Sequence, residues 1–253
     1  MVEIQNLTAG YGGAPVLKDL SLSISPGELT VIVGPNGSGK STLLRSLVGL
    51  TPKVEGSIRV NDTALSHLPS AQLAQNIAYL PQNKRPPDMT VSQLVLHGRF
   101  PYLSYPRRYR RADREIAQKA MEQLGLSQLA DTPLPQLSGG TQQKCYIAMA
   151  LCQDSPVILM DEPLSFLDIS HQLDLMALVK QLARAGKSMV LVLHDLALSL
   201  QWADRIILLE NGRIQQTGSP AEILSSGLLE EVFGVRIHPR SDPLGYTFTR
   251  KGG

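Results

Sequence analysis

Eight residues, Gly34-Pro35-Asn36-Gly37-Ser38-Gly39-Lys40-Ser41, dictate the architecture of this chain before its composition is weighed. They fit the spacing G-x-x-x-x-G-K-S/T, follow directly on the apolar run Leu29–Val33 and lead into a helical pattern over Thr42–Leu47. A strand that enters a glycine-rich turn and leaves as a helix is the context this spacing needs. The glycines let the backbone close into a ring of N–H donors and the helix N-terminus adds positive potential, so Gly34 to Thr42 read as a phosphate cradle. Lys40 reaches β- and γ-phosphates, and the Ser41 hydroxyl suits a magnesium ion. Such a unit belongs to an open α/β sheet, whose ligands sit beyond the carboxyl ends of its strands.

The rest of the chain fits that sheet. Ile77–Leu80, Val157–Met160, Met189–Leu193 and Ile206–Leu209 are apolar runs separated by helical stretches, as parallel strands with crossover helices are. Val2–Leu7, Ser21–Ile24 and Ser57–Val60 alternate polar with apolar and predict a small antiparallel sheet. Asn211-Gly212 predicts a two-residue hairpin turn joining Ile206–Leu209 to Arg213–Gln216. The stretch from 83 onward opens on Lys84-Arg85-Pro86-Pro87, carries a helical pattern from about Asp113 to Leu124, and reads as a helical insertion. One domain over 1–253 follows: a core from about 1–82 and 141–220, a helical subdomain over about 83–140, and a tail over about 221–253 containing Phe233, Pro239 and Pro243.

Composition narrows the function classes. A chain of 253 residues with 43% hydrophobic content is not wholesale disordered, and it has no run of 18 apolar residues to span a bilayer. Met1-Val2-Glu3-Ile4-Gln5 lacks a basic region followed by an apolar stretch, which predicts no secretory signal and a cytoplasmic chain. A net charge of +2 gives the whole chain no nucleic-acid-binding field. Cys145 and Cys152 fall on one predicted helix, seven residues apart. That is roughly 10 Å, beyond disulfide reach, so both read as packing thiols. His67, His97, His171 and His238 form no ligand-spaced cluster.

Two further motifs carry chemistry. Val157-Ile158-Leu159-Met160-Asp161-Glu162-Pro163 is a buried strand ending in two acids, which emerge where ligands of an open sheet bind. There Asp161 is placed to hold magnesium, through water, and Glu162 to orient or deprotonate an attacking water. In Leu137-Ser138-Gly139-Gly140-Thr141-Gln142-Gln143, Ser138 reads as an N-cap, and Gly139 and Gly140 leave the first helical N–H groups open to an anion. With a phosphate loop, a Ser-Gly-Gly helix start and an acidic strand end in this order, the chain resembles the ATP-binding-cassette family of transporter ATPases from Tyr11 to about Pro220.

That resemblance implies a P-loop NTPase core with a parallel sheet, a small antiparallel β-subdomain and an inserted helical subdomain, with ATP and Mg2+ as its nucleotide and metal. Tyr11 then stacks on adenine, and Gln82 contacts magnesium or water and links the core to the helical subdomain. Ser41, Gln82 and Asp161 make the magnesium set; Glu162, His194 and Gln82 make the catalytic set, His194 as the switch that senses the γ-phosphate. Ser138, Gly139 and Gly140 cap the ATP of an opposite subunit, and Asp168, in Ser165-Phe166-Leu167-Asp168, faces that subunit. The implied assembly is a head-to-tail homodimer on the cytoplasmic face of the cell membrane. It drives polytopic membrane permease subunits, an extracytoplasmic substrate-binding protein selects the cargo, and nucleic acid has no part.

Leu96-His97-Gly98-Arg99-Phe100-Pro101-Tyr102, Asp168-Ile169-Ser170-His171-Gln172 and Val192-Leu193-His194-Asp195-Leu196 resemble ATPase subunits that import ferric siderophores, haem or cobalamin. The alternatives are a soluble cassette ATPase acting on a ribosome or DNA-repair complex, which usually has two cassettes or a long coiled-coil insertion, and the ATPase of an exporter. The chain departs from the family at Thr141 and Gln142, where the signature usually continues with Gln and then Arg or Lys. A local cluster of six arginines, at 99, 107, 108, 110, 111 and 114, stands against the single acid Asp113. It reads as a solvated helix start, or as a basic face for anionic lipid headgroups or an acidic loop of a membrane partner.

Overall fold

Apolar runs become strands where the pattern predicts them, and their pairing partners set where they end. The computed structural model describes residues 1–82, 86–239 and 246–250, so Lys84, Arg85 and Pro243 lie outside the described residues. The chain divides into two compact units, Met1–His67 with Val179–Gly253, and Leu68–Leu178.

The first unit opens with β1 (Val2–Gly10), β2 (Leu17–Ile24), β3 (Leu29–Val33), α1 (Lys40–Leu47), β4 (Lys53–Val60) and β5 (Thr63–Ala64). β1 lies between β2 and β4 and runs antiparallel to both, and β5 pairs with β4. These strands outrun the alternating stretches because cross-strand partners extend them: Ala9 faces Leu17 and Val54, and Gly10 faces Lys53.

The second unit carries α2 (Ser70–Asn76), β6 (Ile77–Leu80), α3 (Val91–His97), α4 (Arg111–Gln123), α5 (Gly139–Cys152), β7 (Val157–Asp161) and most of α6 (Ile169–Arg184). β6 and β7 pair in parallel, and α3, α4 and α5 pack on one another. α4 begins at Arg111, earlier than its apolar spacing suggests, because the Arg110 backbone N–H donates to the Asp113 carboxylate at 2.9 Å and closes the first turn. Cys145 and Cys152 both sit on α5, both buried.

The chain returns to the first unit with β8 (Ser188–Val192), α7 (Leu196–Trp202), β9 (Arg205–Glu210), β10 (Arg213–Gly218), α8 (Pro220–Ser225), α9 (Leu228–Phe233), β11 (Val235–Pro239) and β12 (Tyr246–Arg250). β3 lies between β8 and β9, parallel to both, and β10 runs antiparallel to β9. Every residue of β3 and β8 is buried, which explains continuous apolar runs in place of alternation. Asn211 and Gly212, with φ of 50° and 77°, form the hairpin turn between β9 and β10. The tail folds as two short helices and the antiparallel pair β11–β12. No described helix is long and apolar enough to cross a membrane.

Candidate active site

In the first unit the glycine-rich loop runs from the carboxyl end of β3 to the start of α1. Lys40 is buried, and its Nζ donates to the Gly34 carbonyl at 2.7 Å and to the Pro35 carbonyl at 2.9 Å, which curls the ammonium back into the loop. A Cβ on Gly34 would stand 2.0 Å from the Leu209 carbonyl oxygen and 2.8 Å from Ser38 Oγ, so this turn admits glycine alone. Ser38 Oγ is buried without a hydrogen-bond partner among the described residues. Gly39, at the helix N-cap, has no side chain to occupy the first-turn N–H groups of α1. A buried cation, an orphaned hydroxyl and an uncapped helix start fit a polyphosphate.

Parallel pairing brings His194 to the same edge. Ile32 of β3 is in register with Val192 of β8, and Leu193 N–H donates to the Ile32 carbonyl at 3.3 Å. The phosphate loop and His194 therefore leave neighbouring strands at the same end, and His194 is exposed there. Asp195 caps α7 by accepting from Leu198 N–H at 3.0 Å, which makes that turn abrupt. Tyr11 is 48% exposed. Burial raises its phenol pKa, but hydrogen bonds to Thr42 and Arg45, the Arg45 charge and a hydrogen bond to Thr51 outweigh that and bring it below the usual value. Tyr11 thus lies beside the first turns of α1.

The second unit repeats this logic with different chemistry. Leu80 of β6 is in register with Met160 of β7, so Gln82 and Glu162, each two residues further on, emerge together. Gln82 Nε2 donates to Glu162 Oε2 at 2.6 Å. Asp161 is 1% exposed at the end of β7, whereas Glu162 is half-exposed and adopts a left-handed φ of 51°. That conformation is strained for a residue with a Cβ, and it lifts the carboxylate out of the strand line. Gln143 of α5 donates from Nε2 to the Pro163 carbonyl at 2.8 Å, which ties the signature helix to the turn after Glu162.

Ser138 is the N-cap of α5, its hydroxyl accepting from Thr141 N–H at 3.3 Å and lying 2.9 Å from Thr141 Oγ1. Gly139 and Gly140 line a cavity of 470 Å³ together with Ser138, Lys144, Asp168 and His171. Asp168 caps the start of α6: Oδ1 accepts from His171 N–H at 3.0 Å and from Ser170 Oγ at 2.8 Å, while Oδ2 lies 2.7 Å from His171 Nδ1. Those bonds, the His171 N–H foremost, hold its carboxyl pKa down at about 2. Lys144 and His171 of this cavity were not among the residues predicted for the site. His171 was legible as the third residue after an N-cap aspartate; Lys144 had no local signal.

The donors assigned to magnesium, the Ser41 hydroxyl, the Gln82 amide oxygen and the Asp161 carboxylate, are hard oxygens of the kind that ion takes. Among the described residues no group of three or more His, Cys, Asp or Glu forms an all-protein metal cage. In kind, each of these oxygens fits that ion.

Comparison with known proteins is decisive: the ABC transporter family profile matches residues 17–165. The chain belongs to the ABC transporter family. The ferric enterobactin transport ATP-binding protein FepC of Escherichia coli K12 is 40% identical over 245 residues, covering 96% of this chain and 90% of FepC. The hemin import ATP-binding protein HmuV of Bordetella pertussis is 36% identical over 252 residues, covering 96% and 95%. Among solved structures, the dimeric ATP-binding cassette MJ0796 bound to ADP and Pi superposes with a TM-score of 0.75 at 29% identity, covering 87% of this chain and 99% of that one. This cassette thus has the α/β fold expected, with the small antiparallel sheet and the helical elements also present.

Proposed function

We propose that this cassette is the ATP-hydrolysing subunit of an importer for a ferric siderophore, haem or cobalamin, and that it works as a homodimer on the cytoplasmic face of the membrane. The observation that carries hydrolysis is the 2.6 Å hydrogen bond from Gln82 to Glu162, which aims a strained, half-exposed carboxylate at the sheet edge. The import reading is supported by relatives named for enterobactin and hemin uptake.

In this reading Lys40 and the first-turn N–H groups of α1 hold the β- and γ-phosphates, and Tyr11 covers the adenine. Ser41, Asp161 and Gln82 would hold magnesium, which would supply charge neutralisation on the phosphates. Glu162 accepts a proton as a water oxygen bonds to the γ-phosphorus and the bond to the ADP oxygen breaks. His194 contacts the γ-phosphate. Ser138, Gly139 and Gly140 cap the nucleotide of the second copy, and Asp168 faces that copy. Because the γ-phosphate touches both copies only when they close, its loss releases closure, and the motion passes to polytopic permease subunits. The functional segments are the core over about 1–82 and 141–220, the helical subdomain over about 83–140 and the tail. A substrate-binding protein outside the membrane selects the cargo.

The test is affinity capture of the Glu162→Gln chain from detergent-solubilised membranes with ATP and magnesium. Recovery of a stoichiometric polytopic membrane protein is expected. Recovery of ribosomal or nucleic-acid proteins alone, under conditions that preserve a control transporter, overturns the reading in favour of a soluble ATPase.

A further inference from the structure

The structure sorts the six clustered arginines into two sets. Arg99 is 8% exposed; its Nε donates to Asp113 Oδ1 at 3.1 Å, its Nη1 to the Cys152 carbonyl at 3.2 Å, and its guanidinium lies 3.9 Å from the centre of the Tyr102 ring. Asp113 is 7% exposed, and its second oxygen takes the Arg110 backbone N–H. Burial raises the Asp113 carboxyl pKa, but the Arg110 N–H and the Arg99 guanidinium outweigh it, so the acid stays ionised. The acid that appears in sequence to offset the cluster is therefore committed inside the helical packing, where it anchors the loop before α4. Glu115 engages Arg111 at 2.8 Å. The remaining guanidinium groups, at Arg107, Arg108, Arg110 and Arg114, are exposed.

Aromatic surface lies beside them. Tyr105 is 97% exposed, Phe100 is 44% exposed, and the Arg107 guanidinium lies 4.6 Å from the Phe100 ring centre. A net-positive loop bearing an exposed tyrosine has the chemistry of the membrane interface, where amphipathic rings sit at headgroup depth and guanidinium groups meet lipid phosphates. A solvated helix start accounts for the charges but not for an exposed Tyr105 on the same loop.

We propose that the loop from Tyr105 to Arg111 is a lipid-contact site that binds the anionic phospholipid surface directly. Arg107, Arg108 and Arg110 engage headgroup phosphates, Tyr105 enters the interface, and the buried Arg99–Asp113 pair holds the loop in place. This contact needs no permease, so its test stands apart from the transport reading.

The test is co-sedimentation of the purified full-length chain with vesicles of phosphatidylcholine alone or with about one-third phosphatidylglycerol. Binding is expected on the anionic vesicles, falling with added salt, and reduced about tenfold or more in Arg107→Ala/Arg108→Ala/Arg110→Ala. ATPase activity in solution stays within about twofold of wild type, which also reports that the variant is folded. Arg107→Lys/Arg108→Lys/Arg110→Lys retains most binding, because charge rather than bidentate geometry carries the attraction. Equal partitioning of wild type on neutral and anionic vesicles overturns the proposal. So does a triple alanine variant that keeps vesicle binding but loses capture by the solubilised membrane protein, since the loop would then be a protein contact.

Discussion

Gln82 and Glu162 stand 80 residues apart in sequence, yet the Gln82 amide donates to the Glu162 carboxylate at 2.6 Å. Parallel pairing of β6 with β7, with Leu80 opposite Met160, delivers both side chains to one edge of the second unit. The bond fixes the orientation of the carboxylate at the end of β7. A carboxylate so placed suits general base work, which contributes about 10²–10⁴-fold to a rate.

Glu162→Gln is therefore expected to lower kcat about 100-fold or more while ATP affinity stays near wild type. Gln82→Ala is expected to lower kcat less, because the carboxylate survives without its positioning partner. Lys40→Ala loses nucleotide affinity as well. Steady-state ATPase assays with parallel nucleotide-binding titrations check all three, and wild-type turnover in Glu162→Gln contradicts the base assignment.

Thr141 stands where the family usually carries glutamine, and its hydroxyl lies 2.9 Å from Ser138 Oγ. Thr141→Val keeps the shape and removes that partner, so ATP-driven dimerisation measured in the Glu162→Gln background is expected to weaken about fivefold, the worth of one hydrogen bond. Thr141→Ser should restore it. Sedimentation of the ATP-bound chain reads both, and a valine variant that dimerises like wild type removes Thr141 from any role in orienting Ser138.

The two thiols should be inert in the folded chain. Burial pushes Cys145 up to about 11 and Cys152 up to about 12, so neither forms thiolate at neutral pH. A disulfide reagent at pH 7.5 is expected to label neither until denaturant is added, and then to label both. The raised values also set a pH dependence. Stability from the neutral thiols is complete below the unfolded thiol value and lost as pH rises through 11 to 12. Cys145→Ala/Cys152→Ala should show a shallower alkaline loss in chemical denaturation; an identical slope counts against these values.

Asp168 works in the opposite direction. Its carboxyl pKa, held at about 2, lies below the ordinary carboxylate value, so its cap on α6 contributes fully above about pH 4 and is lost as pH falls through about 2. The melting temperature of Asp168→Asn should fall below that of wild type at pH 6, and the gap should narrow below about pH 4 and close only below about pH 2. A gap independent of pH shows that the charge plays no part.

Much of this cassette was readable along the chain, and the reasons differ by element. β3 and β6 begin and end where their apolar runs do, because a strand buried on both faces leaves an unbroken hydrophobic signal. The hairpin at Asn211-Gly212 was readable because few residues accept two successive positive φ angles. β1, β2 and β4 were read short, since their outer residues are held by pairing with Leu17, Lys53 and Val54 rather than by their own pattern. β11 and β12 carried no predictive pattern of their own, and each is held by pairing with the other.

The site divides along the same line. Sequence alone determined the glycine-rich turn between β3 and α1, the Ser-Gly-Gly helix start and the acids at the end of β7, because each is a contiguous motif whose backbone conformation depends on residue type at fixed spacing. Only tertiary structure decided that Gln82 hydrogen-bonds Glu162, that His194 leaves the strand beside the phosphate loop, and that Asp113 is withdrawn from the arginine cluster to pair with buried Arg99. Those relationships depend on strand register and helix packing between residues far apart in sequence, and neither is encoded in any short stretch of chain.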